Sequence, residues 1–244
     1  MKTQFIQTTL FLMLIVFFNI SCGNEENTDT KGQNELIVNT DEMIINGNSN
    51  YEFSMTLEEA SYLVTYKEKV SGDLKNFQCY SDFLSSWMEY MPYSIMALRE
   101  SSWYEGSVIE ESTSNYTWKF KVIASGEYQI LFQKLPLSKA AVNLPQNFSG
   151  AGATVFGPVT ISGNVSFTII CNDAQQAGFT VSLFNATTGE EVLNPGYKPL
   201  YVNLDSNNNG INNINTTIAK SGLSGTYLIE VHTNLFANYT ISIQ

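Results

Sequence analysis

Along most of this chain apolar and polar residues alternate singly, the spacing of a strand that buries one face. Glu35 to Thr40 and Tyr51 to Leu57 read as strands, with Asn46-Gly47-Asn48-Ser49-Asn50 as the turn between them. Trp118, Phe120 and Val122 alternate with Lys119 and Lys121, and Tyr128, Ile130 and Phe132 alternate with Gln129, Leu131 and Gln133. With Ser125-Gly126 as its turn, this pair predicts a β-hairpin with one wet face. One stretch departs from the pattern. Leu74, Phe77, Tyr80, Leu84, Trp87, Met88 and Met91 fall three or four apart, which predicts a helix that Pro92 ends or kinks.

Beyond residue 138 the alternation is more uniform. Phe167, Ile169 and Cys171 alternate with Ser166, Thr168 and Ile170, and Phe179, Val181 and Leu183 form another inward row. Tyr227, Ile229 and Val231 face away from Glu230 and His232, and Tyr239, Ile241 and Ile243 close the chain. Short strands with Asn- and Gly-rich turns predict a β-sandwich. Leu144 to Ala153, punctuated by Pro and Gly, reads as the loop between two domains. The expected architecture is mainly β, with an N-terminal α+β domain over 35–137 followed by an antiparallel β-sandwich domain over 145–244.

The first residues follow a different logic. Lys2 precedes an apolar run from Phe5 to Ile20 that is too short, and too soon interrupted by Asn19, for a comfortable membrane span. Asn19-Ile20-Ser21-Cys22 resembles a bacterial lipoprotein signal, with Asn19 where that family usually has Leu. The resemblance implies a signal peptide over 1–21 and a lipid on Cys22, which anchors without spanning. Residues 23–34 hold no hydrophobic side chain, so 22–34 reads as a flexible tether. The acids right after the cysteine, Glu25 and Glu26, look like the surface-export signal of Bacteroidetes lipoproteins. They imply a lipid-anchored place at the bacterial outer membrane or cell surface.

Composition narrows the function. Apolar residues make up 43% of the 244, enough for a packed core, while charged residues make up only 14%. Acids outnumber bases 23 to 12, for a net charge of −11, which argues against nucleic acid as a partner. The charges thin out along the chain: residues 35–137 hold 15 acidic and seven basic side chains, residues 138–244 only five and three. All three tryptophans fall in the first of these segments.

Few residues are suited to catalysis. His232 is the single histidine, on the polar face of a late strand, and no Gly-x-Ser-x-Gly elbow occurs. No CxxC spacing exists to hold zinc, and Cys79 and Cys171 read as buried thiols or as a bridge. Glu58-Glu59, Glu110-Glu111 and Glu190-Glu191 are adjacent pairs, whose members point to opposite faces of a strand. Asp205-Ser206-Asn207-Asn208-Asn209-Gly210 has the start of a calcium loop, but Thr216 stands at position twelve and one formal charge is too few for tight binding. No catalytic residue, metal or cofactor is therefore expected. Trp103 and Tyr104, among the turn-forming Ser101, Ser102 and Gly106, are the candidate ligand-binding residues, because exposed rings stack on sugars or anchor a protein partner. Seven Asn-x-Ser/Thr sequons, those at Asn115, Asn147, Asn164 and Asn238 among them, read as accidents of a chain rich in Asn, Ser and Thr.

Two further resemblances bear on the halves. Ser224-Gly225-Thr226-Tyr227-Leu228-Ile229-Glu230-Val231, followed by Ala237-Asn238-Tyr239-Thr240-Ile241-Ser242-Ile243, resembles the end of a pre-peptidase C-terminal domain. That resemblance implies a jelly-roll-like accessory module without catalysis. Trp118 to Phe132 is similar to the late strands of chagasin-like cysteine-protease inhibitors, but the inhibitory loop motifs of that family are absent. The expected function is non-catalytic binding at the cell surface, with the membrane reached through the lipid and a glycan or protein as ligand. The alternatives are a carboxylate-based glycoside hydrolase and a protease inhibitor.

Overall fold

Alternation becomes strand wherever it can be followed. A computed structural model describes residues 34–69, 78–81, 97–98, 103–124, 126–171, 179–193, 199–203, 213–233 and 238–244, and none of these is helical. The signal peptide, Cys22 and the tether predicted up to residue 33 lie outside them. The first half contains β1 (Glu35–Val38), β2 (Glu42–Gly47), β3 (Tyr51–Leu57), β4 (Ala60–Lys69), β5 (Gln78–Ser81), β6 (Ala97–Leu98), β7 (Trp103–Ser112), β8 (Tyr116–Ile123) and β9 (Tyr128–Lys134). They form a six-stranded sheet in the order β1-β2-β9-β4-β7-β6 and a three-stranded sheet in the order β3-β8-β5. The two sheets share one core. Ile45, Tyr62, Val64, Tyr66, Ile130 and Phe132 enter it from the larger sheet, and Phe53, Met55, Leu57, Phe120 and Val122 from the smaller. Phe120 stacks on Phe53 with ring centroids 5.0 Å apart and meets Phe132 edge-on at 5.6 Å, joining the sheets through their aromatic rings.

Several expectations for this half are corrected. The Trp118–Phe132 hairpin does not form: β8 pairs with β3 and β5, and β9 with β2 and β4. Alternation fixes which side chains are buried but not which strand lies alongside, and here consecutive strands cross between sheets. The predicted α+β character does not appear among the described residues. Gln78–Ser81, inside the expected helix, is a strand paired with β8, and the helix's other positions lie outside the described residues. Asn46 and Gly47 end β2, so the turn shortens to the residues between β2 and β3. A side chain at position 47 would collide with the Tyr128 ring, which is why glycine sits there.

The second half contains β10 (Val142–Asn143), β11 (Gln146–Ala151), β12 (Thr154–Cys171), β13 (Phe179–Asn185), β14 (Tyr201–Asn203), β15 (Ile214–Thr233) and β16 (Asn238–Ile243). Their order is β11-β16-β12-β15-β13-β14, with β10 parallel to β12. The expected 144–153 loop is thus largely strand, because β11 pairs with β16 and its Gly150 admits the Tyr239 hydroxyl. β12 and β15 make a long antiparallel pair interrupted at Phe156/Val159 and at Gly163/Val165. Such bulges bend a strand and raise its twist. Val159 and Ile161, before the second bulge, join Phe167, Ile169 and Cys171, after it, in a single core. Phe179 and Tyr239 close that core with centroids 5.4 Å apart. Each inward row named from the sequence for this half is buried as expected.

Residues Gly32–Gln244 form one compact unit, and a seam joins its halves. Leu135, Ala186 and Leu228 are buried there, with Leu63, Ile109, Leu137, Val155 and Phe184 packed around them. Beyond β6, the edge of β7 is met by the second half. The Ser107 N–H donates to the Ala153 carbonyl at 3.2 Å, and the Ile109 N–H donates to Glu230 Oε2 at 2.7 Å. A bare strand edge is thereby covered. The turn after β13 also docks: Ser61 Oγ donates to the Thr188 carbonyl at 3.2 Å. Gly189 beside it has φ +74°, and a Cβ there would collide with the Ser61 side chain. Gly189→Ala is expected to destabilise the chain by about 1–3 kcal/mol, read as a lower urea midpoint.

Candidate functional site

The bent sheet of the second half has two outward faces, and they differ. The face that carries Val155, Phe184, Leu228 and Glu230 is committed to the seam. The other, across β11, β16, the later part of β12 and the earlier part of β15, is left uncovered by the described residues. Registry places its outward side chains in rows. Asn147, Ser242, Thr168 and Thr217 form one row, and Ser149, Thr240, Ile170 and Asn215 form the next. Ser166 and Ala219 follow as a third, partial row. Between these rows the inward side chains, such as Phe167, Ile169, Ile241 and Ile243, are fully buried. The outward members are exposed or half-exposed. Thr168 Oγ1 and Thr217 Oγ1 lie 3.0 Å apart in a hydrogen bond. No member of these rows is charged.

The sequons find a structural reason here. Asn147/Ser149, Asn164/Ser166, Asn215/Thr217 and Asn238/Thr240 are each separated by two residues, so both members project from the same face of a strand. Four of the seven sequons thus lie along the outward side of this sheet. The outward face of the small sheet in the first half offers a contrast. There Thr56 and Thr117 also pair through Oγ1 at 2.8 Å, but Glu52 and Lys121 form an ion pair at 3.1 Å beside them.

Acids gather at the seam. Glu230 comes from β15, Glu110 from β7, and Glu191 from the bridge residue opposite Phe184. Burial pushes the Glu230 carboxyl up to about 8, opposed by the Ile109 N–H and reinforced by the charges of Glu110 and Glu191. Burial alone raises Glu110 to about 7. In each of the pairs Glu110-Glu111 and Glu190-Glu191 one member is half-buried and the other exposed, as strand geometry requires. Glu230 escaped the sequence reading, since a single acid on a polar strand face carries no signal of a partner 120 residues away. Glu230 is engaged by the Ile109 N–H, and through that bond the group ties β15 to the edge of β7.

Trp103 and Tyr104 stand at the start of β7, paired with Lys69 and Glu68 of β4, rather than in a turn. Their side chains lie outside the described residues, as do Cys22 and the Asp205–Gly210 loop. His232 is half-buried, and desolvation lowers its pKa. Cys171 is buried in the second core.

No family model matches the chain, and no curated protein matches it. Among solved structures it is similar to a chain in the complex of the plant peptide RALF23 with FER and LLG2, at 7% identity and TM-score 0.25, covering 91% of this chain and 94% of that one. It is also similar to a cupin 2 conserved barrel domain protein from Leptotrichia buccalis, at 11% identity and TM-score 0.21, with 93% of each chain covered. The ANXUR2 extracellular domain from Arabidopsis thaliana follows at 6% identity and TM-score 0.23, with 83% of each covered. Likeness of this degree carries no function across.

Proposed function

We propose that this chain is a lipid-anchored protein of the bacterial outer membrane or cell surface, and that it binds a glycan without transforming it. The observation that carries the reading is the open, uncharged face of registered Asn, Ser and Thr rows on the second half. Hydroxyl and amide groups both donate and accept, which suits a ligand covered in hydroxyls. The side chains that alternate with the rows are fully buried in the second core, so the rows stand on a packed support. On this reading residues 145–244 act as the jelly-roll-like accessory module that their resemblance to pre-peptidase C-terminal domains implies. Trp103 and Tyr104 remain a second candidate contact.

Binding is tested by retention of the full chain, kept in detergent, on immobilised polysaccharides. Thr217→Lys is expected to weaken retention at least tenfold while leaving the unfolding free energy in urea within about 0.5 kcal/mol of wild type, as an exposed position allows. Retention unchanged in Thr217→Lys but lost in Trp103→Ala would move the site to β7. Lipidation is tested separately: Cys22→Ala should abolish incorporation of labelled fatty acid, and persistent labelling would overturn the anchor.

A further inference from the structure

We infer that the seam is a pH-sensitive latch, in which ionisation of Glu230 parts the two halves along the edge of β7 while each half keeps its own core. The seam is thin. Three residues, Leu135, Ala186 and Leu228, are buried in it, against fifteen in the first core and eighteen in the second among the described residues. Its polar fastenings gather on one strand edge. The Ser107 and Ile109 N–H groups leave β7 toward Ala153 and Glu230, and the Val155 N–H donates back to Ser107 Oγ at 2.8 Å. Of these groups only the Glu230 carboxyl can change its charge.

Position decides what ionisation does. Glu230 and Leu228 project from one face of β15, and Ile229 and Val231 project from the other into the second core. Water therefore reaches Glu230 when the seam parts, and neither core has to open. The groups that face Glu230 offer its charge no compensation. Glu110 comes from β7 and Glu191 from the segment after β13, while β12 and β13 place Val155 and Ser182 directly opposite. His232, one pleat along β15, is neutral where Glu230 ionises, since desolvation lowers its pKa. Among the described residues no lysine or arginine pairs with any of the three acids. The Ile109 N–H favours the carboxylate, but one backbone donor does not replace the water that burial excludes, so Glu230 keeps its proton up to about pH 8. Glu110 ionises first, at about 7, and its charge then opposes a second one beside it. Below this range the seam is closed and the halves unfold together. Above it, parting the seam relieves the buried charge.

Amide hydrogen exchange of the full chain in detergent, read residue by residue by NMR at pH 6 and pH 9 with intrinsic rates divided out, tests the latch. The Val108 N–H points the other way, toward β4, and is the control within the same strand. Ser107 and Ile109 are expected to lose at least tenfold more protection than Val108 between the two pH values. Glu230→Gln, which cannot ionise, is expected to remove that difference. Glu191→Gln, which takes a neighbouring charge from a half-buried position, is expected to shrink it, and it carries the test if Glu230→Gln does not fold. Equal loss at all three amides would mean that the chain opens as a whole, and would overturn the latch. An unequal loss that persists undiminished in the variants would overturn Glu230 as its trigger.

Discussion

Raising the pH from 5 to 9 is expected to weaken this fold, and Glu230→Gln is expected to remove much of that loss. The folded chain holds the Glu230 proton up to about pH 8, whereas the unfolded chain releases it near 4.5. Between those values the native state binds more protons than the unfolded state, so stability falls as pH rises, and the loss is complete above the folded value. The slope is about 1.4 kcal/mol for each pH unit over which only the native state holds the proton. Glu110, raised to about 7 by burial, and Glu68, raised to about 7 by burial in the first core, act in the same sense between 4.5 and 7. From these three groups stability is therefore expected to be greatest near or below pH 5. Glu230→Gln keeps an oxygen to accept the Ile109 N–H and cannot ionise. Its urea midpoint should match wild type near pH 5 and exceed it at pH 9. Glu230→Leu leaves the Ile109 N–H without its acceptor and should cost about 1–3 kcal/mol at pH 5, a deficit that shrinks or reverses at pH 9, where wild type has lost the Glu230 proton. A wild-type midpoint that rises from pH 5 to 9 would contradict the account of the seam.

The second large effect concerns the cores. Phe132 in the first and Phe167 in the second are both fully buried. Replacement of either by alanine is expected to cost about 3–5 kcal/mol, the lost transfer energy plus the cavity left behind. Because the seam joins the cores, both variants should shift one common transition. All three tryptophans lie in residues 35–137, so their fluorescence reports the first half. Phe167→Ala should nevertheless lower the fluorescence midpoint together with the far-ultraviolet one. A fluorescence midpoint that ignores Phe167→Ala would show that the halves unfold separately.

Burial was legible wherever the period was two. Phe167, Ile169 and Cys171 are buried, and so are Tyr239, Ile241 and Ile243. Partnership was not legible. Trp118–Val122 and Tyr128–Phe132 read as a hairpin because they are consecutive, yet they belong to different sheets, and nothing local to either strand encodes that choice. β4 escaped notice because its inward row, Tyr62, Val64, Tyr66 and Glu68, mixes phenols and an acid with one aliphatic residue. The polar rows were present in the sequence as sequons. Their meaning required the register, since only pairing brings Asn147, Ser242, Thr168 and Thr217 side by side from strands up to 95 residues apart. Glu230 needed the seam for the same reason.

The most direct test of the central claim observes the threonine methyl groups by NMR while a polysaccharide that retains the chain is added. Thr168, Thr217 and Thr240 lie on the open face of the second half, and Thr56 and Thr117 lie on the charged face of the small sheet. The account predicts that the first three signals broaden selectively and the last two do not. Equal broadening of all five, or none, would contradict it.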